Sequence, residues 1–332
     1  MAPRNCTRVT GFIFRGITDI LKLQNILFVF FFAIYFCMLV GNVWMIVLIS
    51  VDSQLHSSMF FFLSNLSLLD VVSSSVIAPK VMLSSLVKSK DIYFSGCVVQ
   101  FFLFSFCADE LCLLAVTAYN RFVAICNPLL YNVIMSKRVC FQLVAGSYLC
   151  ACANATVHTS TEFSLSFGHS NVLDHFFCDI CPLQEIACSD FCINKRLLVF
   201  LFGSLIEVIT IVTNLISYIL IIVTMLRIRS TKGRRKAFYT CTSHLTAVSM
   251  FHGTILFMYL RPSANYSLDT DKMASVFYTM VIPMLNPLIY SLRNKDVKDS
   301  LRRAIETKLR AHFSPKGVRI GQPNPSKASL HT

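Results

Sequence analysis

Apolar residues run along this chain in long, almost unbroken blocks separated by short polar stretches. A helix needs about 20 mostly apolar residues to cross the hydrocarbon core of a bilayer. Seven blocks reach that length, at roughly 26–50, 57–79, 97–122, 139–161, 197–226, 238–260 and 272–292. The pattern predicts an all-α membrane protein with seven spanning helices. The first block follows a mixed stretch containing Arg15, Asp19 and Lys22. A cleaved signal peptide would be shorter and nearer the N-terminus, so this block reads as a true first span. Four regions follow: an extracellular tail over 1–25, a membrane domain over 26–292, a basic amphipathic helix on the inner leaflet over 293–310, and a polar tail over 311–332. The last holds Pro315, Pro323 and Pro325 and has no apolar pattern with which to build a core.

The seventh block carries the least regular pattern. It ends Pro283-Met284-Leu285-Asn286-Pro287-Leu288-Ile289-Tyr290-Ser291-Leu292-Arg293. Proline has no N–H and kinks a helix. In lipid, the carbonyl it leaves without a donor must find one inside the protein, and Asn286 is a candidate for part of that role. Such a helix must pack against others, and its bend can differ between two packed states.

Composition and charge fit a membrane location. The chain is 55% hydrophobic and 14% charged, with mean hydropathy +0.62, whereas soluble domains are about 25% charged. The formal charge is +13, but its distribution points away from nucleic acid. Basic residues crowd between spans five and six (Arg227, Arg229, Lys232, Arg234, Arg235, Lys236) and again after span seven. The positive-inside rule makes both segments cytoplasmic and puts the N-terminus outside. Lys80, Lys88 and Lys90 then fall on the outer side, against the trend. Anionic lipid of the inner leaflet is the partner the basic segments imply.

Polar groups inside the spans are the candidate chemistry. A charge at mid-membrane costs roughly 2.5–3.5 kcal/mol on insertion scales, so Asp70 in span two marks a functional site. Asp109 and Glu110 are adjacent in span three and point about 100° apart, so they do not share one role. Glu110, Leu114, Thr117 and Arg121 share a face that leads to the cytoplasmic end. Asp70 and Glu110 either hold a sodium ion or proton between helices or are carboxylic acids kept neutral by burial. Of the 14 cysteines, those inside spans read as small apolar residues. Cys97, Cys178, Cys181, Cys188 and Cys192 lie in outer sequence, where disulfides are favoured over zinc. Asn5-Cys6-Thr7 is a glycosylation acceptor in the outer tail.

Several motifs in order resemble one family. Span two carries Phe61-Phe62-Leu63-Ser64-Asn65-Leu66-Ser67. Span three ends Thr117-Ala118-Tyr119-Asn120-Arg121-Phe122-Val123-Ala124-Ile125-Cys126-Asn127-Pro128. The second outer loop carries His175-Phe176-Phe177-Cys178-Asp179. Span five carries Ser217-Tyr218, span six opens Lys236-Ala237-Phe238-Tyr239-Thr240-Cys241-Thr242-Ser243-His244, and span seven ends in Asn286-Pro287 and Tyr290. Together these resemble odorant receptors, a branch of the rhodopsin-like G-protein-coupled receptors, over about residues 20 to 310. The resemblance implies a seven-helix bundle in the plasma membrane that binds small volatile molecules and activates a stimulatory olfactory-type G protein, raising cyclic AMP. It implies a switch made of Asn120, Arg121, Tyr218, Asn286, Pro287 and Tyr290, and a Cys97–Cys178 bridge over the pocket. It implies no cofactor and no enzymatic activity.

The same resemblance suggests the ligand set. The inward face of span three, one to two turns above Glu110, offers Phe104, Cys107, Ala108 and Leu111. Phe202, Gly203 and Ile206 stand opposite on span five, with Tyr259 on span six and Val276 and Thr279 on span seven. Such a set fits a small, largely uncharged ligand. His252, where the family has Tyr, falls at the pocket floor. It is either a neutral hydrogen-bonded residue or a direct ligand or switch contact.

Four departures stand out. Asn120 replaces the Asp that restrains the neighbouring Arg, leaving a neutral hydrogen bond in place of a charged one. Phe122 replaces a Tyr. Ser58 replaces a Pro and offers an N-cap in its stead. Gly168 replaces a cysteine, so Cys188 loses its usual partner; Cys181 and Cys192 are substitutes, and the connectivity is open. Asn120 and Gly168 also motivate the alternative of a poorly expressed or non-signalling member of the same family. A transporter would show an internal repeat, and a hydrolase would show HExxH or GxSxG; the chain has neither.

Overall fold

The computed structural model describes residues 9–17, 20–86, 90–167, 170–188, 193–227, 230–259, 268–293, 296–303 and 306. Its membrane helices are α1 (Leu21–Val51), α2 (Ser58–Leu86), α3 (Phe94–Ala108) with α4 (Leu111–Cys126), α6 (Lys137–Glu162), α8 (Ile193–Arg227), α9 (Thr231–Tyr259), and α10 (Leu268–Val276) with α11 (Ile282–Arg293). These are spans one to seven. Two short helices, α5 (Tyr131–Ile134) and α7 (Ile180–Glu185), lie in loops. The result is the seven-helix bundle that the seven apolar blocks predict.

Burial reveals how an apolar helix chooses its inner face. In α1 the buried positions are Phe31, Ile34, Met38, Asn42, Met45, Leu48 and Ile49, a stripe at helical spacing. Phe30, Phe32, Phe36, Val40, Val43 and Val47 are equally apolar and remain exposed, as lipid-facing residues should. Span five goes further. Its buried positions include Thr210, Asn214, Ser217 and Tyr218, while Leu205, Val208, Ile209, Val212 and Leu215 face outward. In lipid the polar side of a helix is the side that must find partners within the protein.

Among the described residues, spans one to five and seven are long and apolar enough to cross a membrane by composition. Span six falls short. Its helix begins with basic residues and carries Thr240, Thr242, Ser243, His244, Thr246, His252 and Thr254. It nevertheless packs within the bundle, against α11, α8 and α4.

Three sequence readings need adjustment. Span one starts at Leu21 rather than 26, because the helix continues past the apolar run toward the outer loops. Ser58 is the first helical residue of α2 rather than its cap. Its hydroxyl donates to the Met135 carbonyl at 3.2 Å, and Phe61 N–H donates to the Ser57 carbonyl. Span three is interrupted: Glu110 N–H donates to Cys107 O and Cys112 N–H to Asp109 O, three-residue steps that tighten one turn. Glu110, Leu114, Thr117 and Arg121 are all buried across this break, so the shared face persists.

The N-terminal segment has structure of its own. β1 (Gly11–Phe14) pairs antiparallel with β2 (Asp91–Tyr93) and parallel with β3 (Val172–Leu173). Gly16, at φ +80°, lets the chain turn out of this sheet toward α1. Beneath the sheet, Phe12, Phe14, Phe101, Phe167 and Leu173 form a second core around the Cys97–Cys178 disulfide.

Candidate functional site

Span seven shows how the chain accommodates proline in lipid. Pro287 has no N–H, so the Pro283 carbonyl lacks its helical donor; Asn42 Nδ2 of α1 donates to it at 3.0 Å. Pro283 likewise leaves the Thr279 carbonyl without its helical donor, and Ser74 Oγ of α2 takes that role at 3.2 Å. The partner expected from Asn286 therefore comes from spans one and two. Asn286 instead donates to both carboxylate oxygens of Asp70, at 3.2 and 3.1 Å. A π-helical turn over Phe277–Val281 lies just above Pro283, an irregularity that recurs at functional positions in helices. Asn42 stands out in the apolar run of span one and Ser74 does not. A polar residue in an apolar run was the available signal, but sequence does not tell which carbonyl lies opposite.

Asp70 and Glu110 lie within electrostatic reach of each other, and both are buried. Among the described residues, no group of three or more His, Cys, Asp or Glu side chains is gathered to hold a metal. The Asp70–Glu110 pair is thus a two-carboxylate arrangement with the Asn286 amide beside it.

At the end of the bundle expected to face the cytoplasm, Arg121 is buried and acts electrostatically on Tyr218, Tyr290 and His244. Tyr218 Oη and His244 Nδ1 are 2.5 Å apart, joining spans five and six. Asn120 uses its side-chain oxygen to accept from the Tyr131 hydroxyl of α5, at 3.1 Å. The neutral bond expected of Asn120 thus runs to the second inner loop. Asp52, just past α1, accepts from Ser300 and from Arg303 at 2.7 Å, tying residues 296–303 to the bundle. These contacts, with Arg303 first in effect, hold the Asp52 carboxyl at about 2.

In the outer half, the expected ligand residues separate into two groups. Phe104, Cys107, Leu111 and Val276 join one buried cluster, with Ala108 packed against it. Phe104 meets Phe177 of the outer loop at 5.0 Å and Tyr278 at 5.9 Å between ring centroids; Tyr278 meets Phe251 at 5.3 Å. Thr279 is buried and donates back to Ser275 at 2.7 Å. Gly203 and Ile206 are half-buried on α8 and are not among this cluster. Gly203 lies against His158 of α6. The side chains of Phe202 and Tyr259, and Asn5, Gly168 and Cys192 altogether, lie outside the described residues. Two clefts stand out elsewhere: a narrow one at the outer rim by Lys90 and Phe176, and one of about 480 Å³ at the inner ends of spans five and six, by Met225, Arg234 and Phe238. Neither is lined by an expected ligand residue.

His252 is not alone. Its Nδ1 lies 2.8 Å from Glu207 Oε1 on span five, and its Nε2 3.4 Å from Asn214 Nδ2. Glu207, a carboxylate within an apolar span, carries the same sequence signal as Asp70. Asp109 points away from Glu110, as their spacing predicts, and accepts from Asn154 of α6 at 3.2 and 3.0 Å.

Over the bundle, the Cys97–Cys178 bridge is formed with Cα atoms 5.7 Å apart. Cys188 is a buried thiol, so no Cys181–Cys188 bridge is made. Asp174 accepts from Lys272 of span seven at 2.7 Å and from Arg15 of the outer tail at 3.2 Å. Burial raises the Asp174 carboxyl, but the hydrogen bond and charge of Lys272, helped by Arg15, outweigh it and hold the group below its usual range. Burial, with the Lys272 charge, lowers His175 to about 3.

Comparison with known proteins places this arrangement. A sequence-family model described as olfactory receptor matches residues 31–308. Olfactory receptor-like protein COR4 of Gallus gallus is 55% identical over 313 residues, 94% of this chain and 100% of that protein. Olfactory receptor 5AR1 of Homo sapiens is 52% identical over 309 residues, 93% of this chain and 99% of that one. The crystal structure of squid rhodopsin superposes with a TM-score of 0.64, covering 89% of this chain and 88% of that chain at 17% identity, a likeness of fold.

Proposed function

The chain belongs to the olfactory receptor family of G-protein-coupled receptors, and from that membership we propose that it binds small volatile odorants inside its helix bundle and answers by activating a stimulatory, olfactory-type G protein, raising cyclic AMP. Members of this family are signalling receptors, not enzymes. The observation that carries the reading is the contact of Phe104 with Tyr278. It joins the expected ligand face of span three to span seven one residue above Thr279, whose carbonyl depends on span two. A ligand that separates or repacks these rings bears directly on the part of span seven where the backbone is least regular. From there, Asn286 reaches Asp70, and Tyr290 lies within the electrostatic reach of Arg121.

In this reading Phe104, Cys107, Ala108, Leu111, Phe202, Gly203, Ile206, His252, Tyr259, Val276 and Thr279 surround the ligand. Asn120, Arg121, Tyr218, Asn286, Pro287 and Tyr290 carry the change to the G protein. Asp70 and Glu110 exchange a sodium ion or a proton as the bend changes. The receptor sits in the plasma membrane with its N-terminus outside and Asn5 glycosylated. Residues 293–310 lie on the inner leaflet and 311–332 form a cytoplasmic tail. The excess of basic residues after spans five and seven supports that orientation.

The test is a library of volatiles applied to cells that express the chain, with cyclic AMP as readout and surface staining beside it. Dose-dependent cyclic AMP that vanishes in Arg121→Ala at equal surface level is the expected result. Surface-resident protein that answers none of the library, or signals equally without Arg121, refutes the reading.

A further inference from the structure

A polar group between the α3–α4 break, α6, α8 and α9 is not used by the switch. Glu207 Oε1 and His252 Nδ1 join spans five and six at 2.8 Å. Two turns along α8, Asn214 Nδ2 donates to the Thr210 carbonyl at 2.9 Å. A carbonyl only accepts, so the orientation of that amide is fixed. The same NH2 group lies 3.4 Å from His252 Nε2, which must therefore accept. The imidazole proton is then on Nδ1, directed at Glu207. His252 Nδ1 thus occupies Glu207 Oε1 and leaves Oε2 open.

Asn154 is fixed in the same way, because its Nδ2 donates to both oxygens of the Asp109 carboxylate. What remains is mostly acceptors, with His158 Nδ1, one turn from Asn154 on α6, also without a partner. Glu207 Oε2, Asn154 Oδ1 and Asn214 Oδ1 are buried without a hydrogen-bond partner, and all three are acceptors. Asn154 is 8% exposed and Asn214 4%, so solvent does not serve them. The charge of Glu207 acts on Asp109, so the two carboxylates share one region. Buried acceptors ordinarily find donors, and a buried carboxylate needs a compensating charge. The group that completes this cluster is a donor, and a cation satisfies both needs at once.

We infer that the ligand of this receptor is a small protonated amine whose nitrogen is held at Glu207 Oε2. The inference rests on the reading of the chain as a ligand-activated receptor and names the chemical class that the receptor answers. It differs from the uncharged ligand expected from sequence, because Glu207 adds a carboxylate oxygen without a partner to the polar groups of the bundle. Glu207 is the specificity-determining residue. His252 and Asn214 position it by occupying Oε1 and leaving Oε2 to the ligand.

The experiment uses cells expressing the full chain, with cyclic AMP and surface staining read together. Butylamine, hexylamine and octylamine are compared with the alcohols and carboxylic acids of equal chain length, on the wild type, Glu207→Gln and Glu207→Asp. Amines are expected to activate at lower concentration than their alcohols. Glu207→Gln should raise the half-maximal amine concentration by about tenfold or more, as losing a charged hydrogen bond implies. Alcohol responses should move by less than about threefold, and Glu207→Asp should recover part of the amine response. If Glu207→Gln does not reach the surface, the wild-type order of amines and alcohols decides alone. Alcohols or acids active where amines are not, or amine responses unchanged in Glu207→Gln at equal surface level, overturn the inference and leave the receptor reading standing. Silence toward every compound from surface-resident protein removes the receptor reading, and this inference with it.

Discussion

Replacing Asn42 by alanine removes the donor to the Pro283 carbonyl, which Pro287 cannot supply. Asn42 is fully buried, so water does not take its place. Leaving a buried carbonyl without a partner costs about 1–3 kcal/mol. Hydrogen bonds between membrane helices measure lower, about 0.6 kcal/mol on average and up to about 1.7. Asn42 Oδ1 is itself without a partner, and deleting it returns part of the loss. The expected net cost is therefore about 1 kcal/mol, or roughly 2–4 °C in melting temperature for a domain of this size. The decisive measurement is a double-mutant cycle with Pro287→Ala. An alanine at 287 has an N–H that bonds the Pro283 carbonyl within the helix, so Asn42 loses its task. In that background Asn42→Ala should cost less than about 0.5 kcal/mol, a coupling within the usual range for residues in contact. Melting of detergent-purified protein, followed with a thiol-reactive dye, reads all four corners. Equal cost of Asn42→Ala in both backgrounds would falsify the account of how span seven accommodates its prolines.

Other outcomes follow from neighbouring contacts. A Cβ added at Gly41 would lie 3.0 Å from Pro287 Cγ, so Gly41→Ala should push span one from span seven and cost about 1 kcal/mol in the same melt; an unchanged melting temperature sinks this. Asn120→Asp keeps an acceptor for Tyr131 and adds a carboxylate beside Arg121, which should lower ligand-free cyclic AMP by roughly fivefold, about 1 kcal/mol. Identical output and surface level in the two proteins would count against it. His175 is lowered from 6.5 to about 3 by burial and the Lys272 charge. The unfolded chain takes up a proton there below pH 6.5, and the folded chain does so only near pH 3. Its contribution is therefore full above pH 6.5 and lost at up to about 1.4 kcal/mol per pH unit as pH falls toward 3. Melts at pH 7.5 and 5.5 should differ by about that amount more in the wild type than in His175→Gln, and matching slopes would refute the assignment. Asp52, held at about 2 by Arg303, Ser300 and Gln54, should keep residues 296–303 docked across the same range. Its contribution is present above about pH 4 and is lost only as pH falls toward 2.

Much of this receptor is determined by sequence alone. The bilayer requires long apolar helices, so hydropathy by itself yields seven spans and their order. Ordered motifs identify the family, and the asymmetric basic loops support the proposed orientation. Adjacent positions on a helix diverge by a fixed angle, so the separate fates of Asp109 and Glu110 were also legible. Tertiary structure decided which polar groups meet. Hydropathy cannot tell which of the apolar positions on α1 face the bundle, because lipid and protein interior are equally apolar. It cannot tell that Asn42 and Ser74, rather than Asn286, serve the proline-bearing helix, since those bonds join residues 241 and 205 positions apart. Nor can it place Glu207 against His252, 45 positions away. A buried polar side chain announces that it needs a partner; only the packing of seven helices determines who that partner is.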